Sequence, residues 1–439
     1  MCIRDRVIRI FSTQRAFAAL KQNGSVVTWG PANYGGDSSA VAEELTSGVT
    51  EIFSTGTAFA ALKEDGRVIA WGVNGGEDDA GAVSNHLRNS ITQIRSTDSA
   101  FAALSEDGSV CAWGNSRGGF IPREIQEQVD SGVVQLFATD SAFAALKEDG
   151  SVFTWGKYGG DVDRRLVADE LQSGVTEIYS NAEAFAAIKE DGQVVTWGRA
   201  ANGGDSSAVT EELGKVEIQT IASTSRAFAA LRVDGSVVTW GDASYGGDSR
   251  SIATQLRDVR LIYSNTHAFA ALTKGGSVIT WGNPTFGGDS SAAGDDLQEG
   301  VIQVAATSQA FTALKEDGTA VIWGRAGFGG TIDGDAADEL VAGAVRGFGD
   351  PLTGEPIFPE PVIDDAQPIN LALSLTQGQG DERVVTVSFD AQDGKSYRIE
   401  SSTDLRNWQT EESGITGNGN VRRSFPTNRT MWLLRVSEE

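Results

Sequence analysis

Residues 58–72 read AFAALKEDGRVIAWG, and this stretch decides the fold of the 439-residue chain. The continuously apolar run from Ala58 to Leu62 is typical of a strand covered on both faces. Asp65-Gly66 supplies the positive φ angles of a tight hairpin turn, and Arg67 to Trp71 is the predicted partner strand. Before them, Val49 to Ser54 alternates apolar and polar residues, as a half-buried strand does. Each unit is therefore predicted to form three strands.

This unit recurs eight times at a spacing of about 42 residues. Each copy has a Trp-Gly pair with a Phe twelve residues before the Trp. The tryptophans are Trp29, Trp71, Trp113, Trp155, Trp197, Trp240, Trp281 and Trp323, and the phenylalanines are Phe17, Phe59, Phe101, Phe143, Phe185, Phe228, Phe269 and Phe311. A loop with Gly-Gly follows, in which Asp37 or Ser38 is expected to cap a short helix through Ala40 to Leu45.

A three-stranded unit with a buried face must stack on copies of itself. Radial stacking gives a propeller and linear stacking gives a solenoid. Small alanines on the middle strand suit a propeller, whose strands crowd toward a central channel, while Phe and Trp fill the space between blades. The sequence therefore predicts an all-β fold, a β-propeller of seven to eight blades with three to four strands each, in which every repeat Phe and Trp is a core residue.

The stretch Ala61 to Gly72 resembles the repeat A-L-x-x-D-G-x-V-x-x-W-G of the regulator-of-chromosome-condensation family. The resemblance spans residues 7–343 and implies a β-propeller, usually of seven blades, that serves as a protein-binding scaffold. Family members often carry Gly-x-x-His before this strand, where this chain has Ala58 and its equivalents without a histidine. Guanine-nucleotide exchange is not expected, because the units contain no inserted hairpin.

The short unit is more similar to a bacterial branch of this family, which includes a secreted β-lactamase inhibitor. The shared feature is a Ser-Gly-Val link into the next unit, as at Ser47-Gly48-Val49, Ser131-Gly132-Val133 and Ser173-Gly174-Val175. The resemblance implies a loop face that binds a protein, without naming the target.

The two ends of the chain are expected to lie outside the repeats. Residues 1–6 (MCIRDR) read like a translated sequencing adapter and are excluded, and upstream repeats are an open alternative. Residues 344–368 are proline-rich and predict a linker. Residues 369–439 predict a small β-sandwich with strands at 369–375, 383–389, 396–401 and 431–436. The segment YRIESSTDLRNW from Tyr397 resembles a C-terminal module of secreted Verrucomicrobia-type proteins, which implies export and a secreted or cell-surface location.

Two sets of loop residues are candidates for binding. Aromatic residues precede Gly-Gly in five units, at Tyr34, Tyr158, Tyr245, Phe286 and Phe328. Exposed aromatic residues are common binding anchors. A second set varies among near-identical neighbours just before the Phe strand, at Arg15, Thr57, Ser99, Ser141, Glu183, Arg226, His267 and Gln309. Variation confined to loops indicates recognition on a fixed scaffold, or drift at positions without a structural role.

Composition argues against several other functions. The net charge of −25 repels nucleic acid and anionic lipid, so neither partner is expected. Cys111 is the one cysteine outside the adapter-like segment, and two histidines offer no metal cluster. No catalytic constellation, cofactor motif or metal motif is found, and Asp37 and its equivalents are expected to cap turns. The sequence predicts a non-catalytic scaffold with a protein partner; glycan binding and an enzyme at the central opening are alternatives.

Overall fold

The computed structural model describes residues 6–73, 90–115, 119, 121–157 and 169–331, together with strands within residues 371–438. The chain divides into two compact units, Met1–Thr353 and Gly354–Glu439, which are described separately.

Each repeat forms one three-stranded antiparallel sheet, here called a blade, with the AFAAL strand in the middle. The strands predicted in the second repeat form at Val49–Ser54, Ala58–Lys63 and Val68–Gly72. These eight blades are the all-β propeller fold predicted from the repeat. The others are Val7–Ser12, Phe17–Lys21 and Val26–Trp29 (blade 1); Ile91–Ser96, Ala100–Ser105 and Val110–Gly114 (blade 3); Val133–Ala138, Ala142–Lys147 and Val152–Gly156 (blade 4); Val175–Ser180, Ala184–Lys189 and Val194–Gly198 (blade 5); Ile218–Ser223, Ala227–Arg232 and Val237–Gly241 (blade 6); Val259–Ser264, Ala268–Thr273 and Val278–Gly282 (blade 7); and Val301–Ala306, Ala310–Lys315 and Ala320–Gly324 (blade 8).

The hairpin tip of a blade also fixes the start of the next blade. Gly66 has φ +75, and a Cβ atom there would lie 2.5 Å from the backbone nitrogen of Ser90, just before the first strand of blade 3. The amide of Ile91 donates to the carbonyl of Gly66 at 3.1 Å. Glycine is therefore required at this tip both for its dihedral angle and for the close approach of the next blade.

Consecutive blades pack through two different faces. The trailing face of a blade carries small and aliphatic residues, such as Ala60 in blade 2, and the front face of the next blade carries large ones, such as Ile94, Phe101 and Trp113. In blades 2 to 8 the repeat Phe and Trp side chains are at most 4% exposed. Within each blade these two rings stack, as Phe101 and Trp113 do at 5.2 Å between centroids. Phe and Trp thus fill the space between blades, as predicted.

Blade 1 is the exception. Phe17 and Trp29 are each 44% exposed and Ile10 is 61% exposed. The prediction that every repeat Phe and Trp is a core residue is therefore wrong for these two. The physical reason is that a front face is buried only by the trailing face of a preceding blade, and no described residue provides one in front of blade 1.

Short helices occupy the loops after the third strands. In the first loop a 3₁₀ turn spans Ser39–Val41, and the Asp37 carboxylate accepts a 2.9 Å hydrogen bond from the Ser39 amide, so Asp37 rather than Ser38 caps the turn. Asp205, Asp248 and Asp289 accept equivalent bonds. The other helices of the described residues are Ala32–Tyr34, Arg123–Val129, Glu170–Gln172, Ala200–Asn202, Ser207–Val209, Thr210–Leu213, Ala243–Tyr245, Arg250–Ile252, Pro284–Phe286, Ser291–Leu297 and Ala326–Phe328.

The second unit contains two three-stranded antiparallel sheets. One holds Leu371–Gln377, Arg383–Ala391 and Gly419–Thr427, and the other holds Ser396–Ser402, Gln409–Thr416 and Leu433–Glu438. Four of these strands match the predicted ones within two residues, whereas Gln409–Thr416 and Gly419–Thr427 were not predicted. The proposed linker, residues 344–368, lies outside the described residues, and the resemblance to an export-associated module stays a prediction.

Candidate binding surface

The two predicted loop sets form one surface in blades 1, 6, 7 and 8, because in each of these blades a single side chain joins the two loops. In blade 6, Thr224 Oγ1 accepts a 3.1 Å hydrogen bond from the Ala227 amide and donates a 2.9 Å bond to the Tyr245 carbonyl. This ties the turn that carries Arg226 to the loop that carries Tyr245. The same side-chain link to the carbonyl of the aromatic residue is made by Thr13, Asn265 and Thr307, and Asn181 donates to the equivalent carbonyl of Asn202 in blade 5.

Side chains from these joined loops stack into a continuous row across blades 6 to 8, here called the aromatic row. Its members, in order, are Arg226, Tyr245, His267, Phe286, Arg325 and Phe328. The His267 ring centroid lies 4.8 Å from that of Tyr245 and 4.3 Å from that of Phe286. The guanidinium carbon of Arg226 lies 4.8 Å from the Tyr245 ring, and that of Arg325 lies 5.0 Å from the Phe328 ring. Cation–π contacts of this kind hold long side chains in place.

Exposure varies along the row. Tyr245, His267 and Phe286 are half-buried, while Arg226 and Arg325 are exposed. Partial burial lowers the pKa of His267 from 6.5, and the positive charge of Arg226 lowers it further. His267 is therefore mostly neutral at pH 7, and its ring lies between those of Tyr245 and Phe286.

The two arginines of the row differ in their partners. Arg226 lies 3.9 Å from the Asp242 carboxylate. Arg325 Nη1 donates to the side-chain oxygen of Gln309 at 2.7 Å, and among the described residues no carboxylate lies within 4.0 Å of it. A guanidinium has five N–H donors, so Arg325 retains several for a ligand.

The other candidate residues are distributed around the remaining blades. Arg15 lies over the Tyr34 ring at 5.0 Å and forms a separate pair in blade 1. Glu183 pairs with Arg199 at 2.7 Å. Thr57 and Ser141 donate to carbonyls of their own loops, Val73 and Lys157. Ser99 is half-buried, and Tyr158 lies outside the described residues. The stacked row therefore belongs to blades 6 to 8.

A polar hollow of about 380 Å³ lies where the first strands of blades 1 to 4 end. Backbone hydrogen bonds join its turns from blade to blade, as from the Asp98 amide to the Asp140 carbonyl at 2.9 Å. Burial raises the pKa of Asp140 to about 6, and the negative charges of Asp98 and Glu183 add to the shift. The residues that line the hollow are Ser12, Thr13, Gln14, Ser54, Thr55, Gly56, Ser96, Thr97, Asp98, Thr139 and Asp140.

Asp98, Asp140 and Arg325 were not predicted as site residues from the sequence. Asp98 and Asp140 immediately precede the variable residues Ser99 and Ser141, and Arg325 stands two residues after Trp323. Asp98 and Asp140 share one position of the repeat, and Arg325 occupies another. The residues at these two positions differ from unit to unit among near-identical neighbours, and this variation is the signal that could have identified them. Within the described residues, no group of three or more His, Cys, Asp or Glu side chains is arranged to hold a metal, and no helix is long and apolar enough to cross a membrane.

Comparison with known proteins gives structural similarity only. No family model and no curated protein matches the chain. Solved structures that resemble it include Prp20p of Saccharomyces cerevisiae, described with its binding to Gsp1p and histones (19% identity, 55% of this chain, 72% of that chain, TM-score 0.32). Another is yeast RCC1 (Prp20) bound to Kap60, with 18% identity over 67% of this chain and 83% of that chain and a TM-score of 0.34. A third is the CR4 receptor-kinase ectodomain of Physcomitrella patens, with 15% identity over 64% of this chain and 72% of that chain and a TM-score of 0.34. Because identities and TM-scores are low, the fold is defined by the eight blades themselves, and no partner transfers.

Proposed function

We propose that this protein is a non-catalytic binding scaffold that engages a protein partner through the aromatic row. The observation that carries the proposal is the stacking of six side chains, Arg226 to Phe328, from variable loop positions on otherwise near-identical blades. Tyrosine and arginine are enriched at the energetic centres of protein interfaces. Rings held by neighbours on both sides also lose little conformational freedom on binding.

A protein partner fits the row better than a glycan does. Two members of the row lie against the Tyr245 ring, Arg226 and His267, and two lie against the Phe286 ring, His267 and Arg325. Sugar recognition on aromatic residues needs an open ring face. Ring edges and the free guanidinium donors of Arg325 instead suit carbonyls and carboxylates, as a polypeptide presents them.

The same proposal places the protein outside the cell, at the surface or in the medium. Support for this location comes from the resemblance of the C-terminal motif to an export-associated module. Chemical labelling of intact source cells, with detection of the chain by mass spectrometry, tests it.

Affinity capture with the full chain as bait tests the binding proposal. Arg325→Glu reverses the charge of the exposed member of the row that has no carboxylate partner among the described residues. Arg250→Glu is the control, because Arg250 is also an exposed arginine in a loop after a third strand but lies outside the row. We expect a partner that binds the wild type and the control but loses at least about tenfold in affinity with Arg325→Glu, or about 1.4 kcal/mol.

Two results would contradict the proposal. A partner that binds all three baits equally would place the site elsewhere on the molecule. Retention on a glycan array without any captured protein would favour the glycan alternative.

A further inference from the structure

The contact between the hairpin tip of blade 5 and the start of blade 6 differs from its equivalents. At the other six interfaces, the first residue of the next blade donates its amide to the carbonyl of the tip glycine, as Val175 does to Gly150 at 3.0 Å. Among the described residues, no such bond joins the Ile218 amide to the Gly192 carbonyl. A Cβ atom at Gly150 would lie 2.6 Å from the Gly174 nitrogen, whereas one at Gly192 would meet no atom within 4 Å. Blade 6 therefore begins at a distance from the tip of blade 5.

One extra residue in the link to blade 6 explains this gap. Leu171 and Val175 are four positions apart in the link to blade 5, whereas the equivalent Leu213 and Ile218 are five positions apart. Because both leucines are buried, the extra residue lengthens the part of the link that faces the tip. A groove of about 740 Å³ opens there, here called the blade 5–6 groove. Its walls are residues 176–177 and 188–192 of blade 5 and residues 213–219 and 233 of blade 6.

The blade 6 wall of this groove is apolar at two positions that are polar elsewhere in the repeat. Val233 lies at the hairpin tip and is 53% exposed. Val216 is half-buried, at a position where the links to the other blades have serine, asparagine, arginine or glutamate. Two aliphatic side chains on one groove offer apolar surface to a ligand. The equivalents of Val233 in the other repeats are Gln22, Glu64, Glu106, Glu148, Glu190, Lys274 and Glu316.

The blade 5 wall is acidic. Glu190 and Asp191 lie at its tip, and within the described residues no lysine, arginine or histidine nitrogen lies within 4.0 Å of either carboxylate. The two lysines of the groove have other partners. Lys189 Nζ donates to a backbone carbonyl at 2.7 Å, and Lys215 Nζ lies 3.3 Å from the Glu211 carboxylate. The negative charge of this wall is therefore available to a cationic partner.

We propose that the blade 5–6 groove binds an extended basic peptide segment of a partner protein. Alternate side chains of an extended segment point in opposite directions, so basic residues can face blade 5 while aliphatic residues face Val216 and Val233. Backbone groups of the segment can replace the bond that the Gly192 carbonyl and the Ile218 amide do not make with each other. Extended peptides bind the edges of sheets through main-chain bonds of this kind.

The groove is separate from the aromatic row. The row lies on the turns between first and second strands and on the loops after third strands, whereas the groove lies at the opposite ends of the strands, beside the tips between second and third strands. Binding at the groove is therefore independent of binding at the row, and a variant of one surface leaves the other intact.

Fluorescence anisotropy of the full chain with a labelled hexapeptide of three Arg-Val pairs tests the proposal. Glu190→Lys reverses a charge on the blade 5 wall. Glu148→Lys is the matched control, because it makes the same change at the equivalent tip of blade 4, where the bond from Val175 to Gly150 closes the interface. Val233→Gln replaces the exposed aliphatic side chain with the residue type that blade 1 has there. Thermal melting confirms that each variant is folded.

We expect the wild type and Glu148→Lys to bind the peptide equally, Glu190→Lys to bind it at least about tenfold more weakly, and Val233→Gln about threefold more weakly. General attraction between the net charge of −25 and a cationic peptide acts equally on the two lysine variants, so a difference between them reports the groove. Equal affinity of all four proteins would overturn the proposal, and so would a wild type that does not bind.

Arg325→Glu distinguishes the groove from the aromatic row. We expect this variant to bind the hexapeptide as the wild type does, because Arg325 belongs to the row. Loss of peptide binding with Arg325→Glu, together with normal binding by Glu190→Lys, would place the peptide on the row and would overturn the assignment to the groove.

Discussion

The front faces of blade 4 and blade 1 contain the same aromatic pair in different surroundings. Phe143 and Trp155 stack at 5.4 Å and are fully buried, while Phe17 and Trp29 stack at 5.3 Å and are each 44% exposed. Pairing within a blade is therefore independent of whether a neighbouring blade is present. Burial, in contrast, comes entirely from the neighbour, so identical residues contribute differently to stability according to their place in the array.

The largest expected effect tests this difference directly. Trp155→Ala removes a fully buried side chain between blades 3 and 4, and we expect it to lower the free energy of unfolding by about 3–5 kcal/mol. Trp29→Ala removes the equivalent side chain where solvent already reaches it, and we expect a loss of about 1 kcal/mol. Urea denaturation measures both. Equal losses would show that the front face of blade 1 is covered in solution.

The second test exchanges the residues that distinguish an internal trailing face from the terminal one. Ala144 has no exposed surface in blade 4, and its equivalent in blade 8 is Thr312. Ala144→Thr inserts two extra atoms into a packed interface, and we expect it to cost about 1–3 kcal/mol of unfolding free energy.

Thr312→Ala is the reciprocal change. It should leave the free energy of unfolding nearly unchanged, because Thr312 is only half-buried whereas Ala144 has no exposed surface. A loss of more than about 1 kcal/mol in urea denaturation would show that Thr312 is packed as tightly as an internal residue.

Most of the blade could be predicted from local sequence. The strand bounds follow from the alternation in Val49 to Ser54, the apolar run after Ala58 and the Asp65-Gly66 turn, because each of these signals acts within a few residues. The exposure of Trp29 could not be predicted in this way. It depends on a surface about one repeat away, and the repeat motif around Trp29 is the same as around Trp155.

Most residues of the aromatic row were predicted from the sequence, but their stacking into one row was not. Tyr245 and Phe286 were predicted as exposed aromatic residues before Gly-Gly, and Arg226 and His267 from their variation among near-identical neighbours. Their stacking depends on hydrogen bonds such as Thr224 to the Tyr245 carbonyl, which join loops about 20 residues apart in sequence. Arg325 lies outside both predicted loop sets, in the position directly after Trp323-Gly324.

The smallest expected effect concerns the polar hollow, which is the other region where neighbouring blades bring side chains together. The pKa of Asp140 is about 6 in the fold, above its ordinary value of 3.8. Because the pKa is raised in the folded state, the protein is more stable with Asp140 protonated than with Asp140 ionised. Stability from this group is thus fully present below about pH 3.8 and is lost as pH rises through 6.

Asp140→Asn keeps the size of the side chain and removes the charge. We expect it to match the wild type at pH 4 and to be more stable at pH 7.5, by less than about 1 kcal/mol because solvent screens this partly open site. Asp248→Asn is the control with the opposite sign. Hydrogen bonds from Arg250 lower the pKa of Asp248 to about 2, so its contribution is present at neutral pH and is lost only as pH falls toward 2. Loss of stability with Asp140→Asn at pH 7.5 would mean that the Asp140 carboxylate is held by a favourable partner rather than crowded by Asp98, and the hollow would then stabilise negative charge instead of excluding it.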